Sequence, residues 1–190
     1  MESKSIFVAL VGKPNVGKSS LMNIILGEKI AIVTSKPQTT RTSITGILTK
    51  GVTQFVFMDT PGVHAPKTKL GEYMVKTSKK TISDVDLVLM LFEPYGEFND
   101  AELGIIENIK SSKLPRLRVI NKKDTIKSKS DGERQVRRIK ELGVFDDVLL
   151  ISAIEDDGVD RLMDKIDSYA MESPHYFEDD AVTNMPEKVI

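Results

Sequence analysis

The sequence predicts an α/β sandwich of three layers: a six-stranded, mostly parallel sheet with one antiparallel edge strand and about five helices. Two observations carry that expectation. Short apolar runs alternate with segments of helical period, the pattern of strands buried on both faces by crossover helices. The second and third runs are separated only by "KGVT", short enough for a hairpin and too short for a crossover, so that pair is expected to be antiparallel.

The elements follow in order. The first strand covers residues 5–11 and the first helix 18–26, ending at Gly27. Strands at 43–49 and 53–59 form the hairpin, and the stretch before it, "TSKPQTTRTS" (34–43), has no apolar period and reads as a long mobile loop. A helix at 69–83 precedes a strand at 87–93, a helix at 100–111 precedes a strand at 117–121, and a helix at 131–142 precedes a strand at 148–152. Gly27 and Gly143 stand where a helix C-terminus favours a left-handed residue. The last helix, 159–171, gathers Val159, Leu162, Met163, Ile166 and Ala170 on one face. Beyond Ser173 the chain is acidic and aperiodic. Residues 1–173 are therefore expected to form one domain, and 174–190 a tail or linker.

Composition narrows the function. At 190 residues a single domain with a full core is expected, and a second full domain would not fit. A net charge of -1 gives no global pull toward nucleic acid or a membrane, so either partner would have to be met by a local patch, and any peripheral membrane association should be weak. The chain has no cysteine, which excludes disulfides and thiolate metal sites and suits a reducing compartment. Only six consecutive apolar residues, 6–11, lie near the N-terminus, too few for a signal segment or a membrane span. A soluble, cytoplasmic protein is expected; composition carries no signature of oligomeric state.

Between the first strand and first helix, Gly12, Gly17, Lys18 and Ser19 spell G-x-x-x-x-G-K-S, in the strand-loop-helix context that gives this pattern its meaning. Small residues let several backbone N–H groups converge on one anion, and the helix N-terminus adds partial positive charge. The loop Gly12, Lys13, Pro14, Asn15, Val16, Gly17, Lys18, Ser19 and Ser20 is thus expected to wrap a polyphosphate within a P-loop NTPase fold. Lys18 would reach the β- and γ-phosphates, and the Ser19 hydroxyl would hold Mg²⁺.

Two later motifs point to the nucleotide. After the third strand, "MDTPG" supplies Asp59, whose carboxylate would hold Mg²⁺ through water, and Gly62, whose N–H would meet the γ-phosphate. After the fifth strand, "NKKD" supplies Asn121, Lys122 and Asp124. A carboxylate there accepts from guanine N1–H and the N2 amine, whereas adenine lacks the amine and presents an acceptor at N1. A polar site of this kind rejects the wrong base strongly. The Lys122 stem would cover the base, Asn121 would tie this loop to the phosphate loop, and in Ser152, Ala153 and Ile154 the Ala153 N–H would meet guanine O6. Ras-like enzymes orient water with a glutamine just after D-x-x-G. Val63 stands there instead, and a valine can neither donate nor accept, so slow intrinsic hydrolysis is expected.

The order of these pieces resembles translation-factor-class P-loop GTPases. Together "GKPNVGKSSLMN", "KIAIVTSKPQTTR", "DTPGVH", "NKKD" and "HYFEDDAVTNMPEKVI" resemble the GTPase domain of the Era family of bacterial ribosome-assembly GTPases, along nearly the whole chain. That resemblance implies GTP and GDP as ligands, Mg²⁺, and a place in small-ribosomal-subunit assembly with 16S rRNA as partner. In such proteins a KH-type RNA-binding domain follows the tail; these 190 residues contain no G-x-x-G, so RNA binding is not carried over to this chain. The resemblance also implies that Asn15 holds a potassium ion where an arginine finger would otherwise sit. It favours Thr40, beside Arg41, over Thr39 as the threonine that closes over Mg²⁺. Arg41, His64, His175 and the basic stretch 127–140 read as solvated surface groups. Three other readings stay open: a GTP-binding scaffold with negligible hydrolysis, another P-loop GTPase of ribosome biogenesis, and a P-loop kinase or ATPase, the last opposed by Asp124.

Overall fold

In β1 (Lys4–Val11) the apolar side chains divide between two faces, with Ile6, Val8 and Leu10 in one core and Ala9 and Val11 in another. β4 (Leu87–Phe92) divides in the same way and is buried at every position. Such strands are stable only in the middle of a sheet covered on both sides. The computed structural model, which describes residues 2–13, 15–27, 44–59, 85–95, 98–110, 113–141, 143 and 145–176, has that three-layer α/β architecture.

The sheet order is β2-β3-β1-β4-β5-β6, with β2 (Ile44–Lys50), β3 (Thr53–Asp59), β5 (Arg116–Ile120) and β6 (Asp147–Leu150). β2 runs antiparallel to β3 at one edge, and β3, β1, β4, β5 and β6 run parallel, as the short second turn requires. Helices α1 (Lys18–Leu26) and α4 (Val159–Asp167) pack on one face of the sheet and α2 (Asp100–Lys110) on the other, while α3 (Lys129–Lys140) lies against β6. α1 presses closely on β2 because Gly46 has no side chain; a Cβ there would overlap the Leu26 side chain. Chain order reverses at β1, whose neighbours are β3 and β4, and in open α/β sheets ligands bind beyond the strand ends at that point.

Two features depart from expectation. α4 stops at Asp167 instead of continuing to 171: the Tyr169 and Ala170 N–H groups donate to the Ile166 and Asp167 carbonyls, tighter turns than an α-helix makes. The chain then extends into a seventh strand, β7 (Met171–Glu172), antiparallel to Lys4 and Ser5. β4 pairs β1 only over Val8 to Val11, so β7 pairs a part of β1 that β4 does not reach. Residues 173–176 are not a detached tail. Tyr176 donates its N–H to Gln54 Oε1 (2.9 Å) and packs edge-on against Phe7, and His175 Nε2 lies 2.8 Å from the Val52 carbonyl. The expected helix at 69–83 and loop at 34–43 lie outside the described residues.

One buried charge stands out in β5. Arg118 is 2% exposed, with its guanidinium carbon 3.5 Å from the Phe92 ring centroid, 4.7 Å from Phe98 and 5.6 Å from Phe145. A delocalised planar cation tolerates an aromatic enclosure that would strongly penalise a compact ammonium.

Candidate functional site

The loop between β1 and α1 curls because its residues permit it. Gly17 caps α1 at φ 106, and a Cβ there would collide with the Asn121 amide, so only glycine allows the two loops to meet. Asn15 also adopts positive φ (63°) and is exposed, whereas Val16 between them is fully buried and anchors the loop in the core. Lys18 begins α1 half-buried, its Nζ donating to the Gly12 carbonyl at 3.1 Å and closing the loop into a ring. Ser19 is exposed at the first turn of α1, where backbone N–H groups face outward without intrahelical partners. The concave, donor-rich surface that results is suited to an anion of several charges.

The loop after β5 joins it through one buried side chain. Asn121 Nδ2 donates to the Val16 carbonyl at 3.0 Å, and Asn121 Oδ1 accepts from the Ala153 N–H at 3.0 Å. One amide thereby holds together three loops drawn from distant parts of the chain. Asp124 lies in a 3₁₀ turn, Lys123–Thr125, with Oδ1 fixed by the Ser152 hydroxyl at 2.7 Å. Tyr95 steadies the same turn by donating to the Thr125 carbonyl at 2.7 Å. The Ala153 N–H, expected at guanine O6, donates to Asn121, because β6 brings its loop directly alongside that amide. Ile154, next in the loop, is 73% exposed.

Lys122 adopts a left-handed conformation (φ 63), and its ammonium turns toward the phosphate loop, donating to the Asn15 carbonyl at 2.9 Å and to Glu93 Oε1 at 2.6 Å. Lys13, on the phosphate loop, lies 3.4 Å from Glu93 Oε2. Glu93 thus bridges one lysine from each loop, and the Lys122 hydrogen bond above all holds its carboxyl below the usual carboxylate range despite partial burial. Sequence reading missed Glu93, since nothing local marks it: it sits just past the end of β4, and only strand adjacency brings it between Lys13 and Lys122.

Asp59 ends β3 opposite Leu10, next to the start of the phosphate loop; its carboxylate, like Pro14, Thr39, Thr40, Arg41, Gly62, Val63 and His64, lies outside the described residues. The other expected residues, Gly12, Lys13, Asn15, Val16, Gly17, Lys18, Ser19, Ser20, Asn121, Lys122, Asp124, Ser152, Ala153 and Ile154, belong to the three loops beyond the carboxyl ends of β1, β5 and β6 and to the first turn of α1. His175 is not the solvated group expected but is held at the hairpin turn by Val52.

Comparison with known proteins agrees with this geometry. Residues 7–122 match the family described as 50S ribosome-binding GTPase. The chain is 48% identical over 190 residues to GTPase Era of Thermoanaerobacter sp. (strain X514), covering 100% of this chain and 63% of that relative. It is 42% identical over 187 residues to GTPase Era of Clostridioides difficile (strain 630), covering 98% and 63%. The chain therefore spans about 63% of the length of the curated relatives it matches. Among solved structures, an Era variant from Aquifex aeolicus bound to GDP.AlF4- superposes with a TM-score of 0.83 at 34% identity, covering 96% of this chain and 62% of that one. Era in complex with MgGDPNP and nucleotides 1506-1542 of 16S ribosomal RNA gives 0.81 at 32% identity, covering 97% and 63%.

Proposed function

Because the chain belongs to the 50S ribosome-binding GTPase family and is similar to Era proteins along its whole length, we propose that it is a guanine-nucleotide switch that hydrolyses GTP to GDP and phosphate and acts in small-ribosomal-subunit assembly. The observation that carries this reading is Asn121, whose buried amide binds Val16 of the phosphate loop and Ala153 of the last loop at 3.0 Å each, joining a phosphate cradle to a base-reading turn. In it Lys18 neutralises the β- and γ-phosphates, moving from the Gly12 carbonyl to do so, while Asp124, oriented by Ser152, accepts from guanine N1–H and N2. The cradle fits a nucleotide-bound Mg²⁺ as well, since exposed Ser19 presents a hydroxyl at the first turn of α1, beside the donor-rich loop. When bound, Mg²⁺ supplies charge neutralisation between the phosphates; Ser19, with Asp59 through water and Thr40 of the first loop, would hold it. Thr40 and the Gly62 N–H would sense the γ-phosphate, and Asn15, exposed at the loop rim, would hold potassium.

Small-subunit partnership follows from the relative whose complex contains 16S ribosomal RNA, and it belongs to that longer chain first. The test of the switch is a titration with fluorescent GDP. GDP should displace the probe at stoichiometric ratios, and ADP should fail even in roughly thousandfold excess. Equal competition by ADP overturns the base assignment. Phosphate release measured in potassium and in sodium at constant ionic strength then tests Asn15: turnover should be faster in potassium, and Asn15→Ala should erase the difference. Background release in both salts would leave the scaffold reading standing.

A further inference from the structure

We infer that Glu93 is a positioning residue for nucleotide retention: it clasps the base loop to the phosphate loop through Lys122 and Lys13 and so slows nucleotide release without touching the nucleotide. This inference rests on the guanine-nucleotide reading above.

The geometry is specific. Glu93 Oε1 accepts from Lys122 Nζ at 2.6 Å, and Glu93 Oε2 lies 3.4 Å from Lys13 Nζ, so each carboxylate oxygen serves a different loop. Lys122 uses a second donor on the Asn15 carbonyl at 2.9 Å, which makes its ammonium a junction between β4, the phosphate loop and the base loop. Asn121, its neighbour, makes the parallel tie from the buried side, to Val16. The two loops are thus fastened twice, once by a buried amide and once by a half-exposed ion cluster. On this inference a bound nucleotide would leave by separation of these loops, and the outer fastening, part-exposed where the Asn121 amide is buried, is the one that breaks without disturbing the core.

An opposing effect gives the inference its sign. If Glu93 merely competed with phosphate for Lys13 and Lys122, removing its charge would free two cations and tighten binding. If it positions the loops, removing its charge lets Lys122 swing away from Asn15 and speeds release. Glu93→Gln keeps the shape and removes the charge, so it separates the two.

The experiment is stopped-flow release of fluorescent GDP, with Mg²⁺ present, chased by excess GDP. Glu93→Gln should release the probe roughly two- to fivefold faster, the range expected for a partly exposed ion pair. In a Lys122→Met background, Glu93→Gln should add little, because both changes break the same fastening. The ratio of affinities for GDP and inosine diphosphate should stay constant in Glu93→Gln, since Asp124 and not Glu93 reads the N2 amine. Unchanged or slower release from folded Glu93→Gln, or full additivity with Lys122→Met, overturns the inference. Should Glu93→Gln fail to fold by circular dichroism, Glu93→Asp, which keeps the charge but cannot span both lysines, carries the same comparison. Absence of saturable GDP binding by the unsubstituted chain would instead overturn the nucleotide reading itself.

Discussion

In the proposed site Asp124 is the residue that would decide base identity, and its neighbours hold it still. Its Oδ1 is fixed by the Ser152 hydroxyl at 2.7 Å, which sets the plane of the carboxylate. Asp124→Asn should therefore turn an acceptor into a donor without moving the loop, and shift preference from GTP toward xanthosine triphosphate in competition binding; an unchanged ratio would show that the base is read elsewhere. Lys18→Ala should remove most triphosphate affinity and leave the urea midpoint nearly unchanged, because Lys18 makes a loop contact to Gly12 and is not part of the core. Glu93 adds a pH signature. Its carboxyl titrates below the usual range when folded, so the clasp contributes fully above that range and is lost as the pH falls through its lowered value. GDP release should quicken toward acid in the unsubstituted chain, and the part due to the clasp should be absent from Glu93→Gln. These residues were not equally visible in the sequence. Gly12 to Ser20 and Asn121 to Asp124 are contiguous, with spacings that a phosphate and a base would require, and so can be read directly. Glu93 acts across three strands, and the N–H of Ala153 proved committed to Asn121; neither is a local property of the chain.

At the scale of elements, α2 begins with a reciprocal cap: Glu102 N–H donates to Asn99 Oδ1 at 2.8 Å, and Asn99 N–H donates to Glu102 Oε1 at 3.2 Å. The spacing N-x-x-E is present in the sequence, ahead of an apolar stripe of Ile105, Ile106 and Ile109. Asn99→Ala should cost about 1 kcal/mol in urea unfolding. The Glu102 backbone N–H is the partner that replacement would strand, while the Glu102 carboxylate keeps the backbone N–H of residue 99. β5 carries the opposite lesson. The strand was expected as one of the short apolar runs buried on both faces, yet the residue at its centre is Arg118, enclosed by Phe92, Phe98 and Phe145. Arg118→Lys should destabilise the domain more than Arg118→Met, because lysine brings a strongly hydrated charge without a planar face, whereas methionine brings no charge. If the lysine variant unfolds at the higher urea concentration, the aromatic enclosure is not what retains the arginine. β7 was invisible for a different reason: two residues cannot display a period, and their extended form follows from pairing with Lys4 and Ser5.

For the molecule as a whole, the proposed binding of guanine nucleotide would link ligand and folding through the three loops. Guanine nucleotide at a hundredfold excess over its Kd should raise the unfolding free energy by about 2.7 kcal/mol, and adenine nucleotide should leave the melting temperature unmoved. Apolar patterning made the central sheet legible, because strands buried on both faces leave few alternatives; the path after α4 was not, because it depends on which part of the β1 edge remains open. That path has a genetic consequence. Ser173 donates its N–H to the Ser3 carbonyl at 3.0 Å, and the Ser3 hydroxyl donates to the Ser173 carbonyl at 3.0 Å, so the backbone at the two ends of the described fold lies side by side. A reading frame that fuses these ends through a few glycines and opens instead at the exposed turn around Gly143 would encode the same sheet in a different order. By the same reasoning, the domain can be spliced into a surface loop of an unrelated host without prying that host apart.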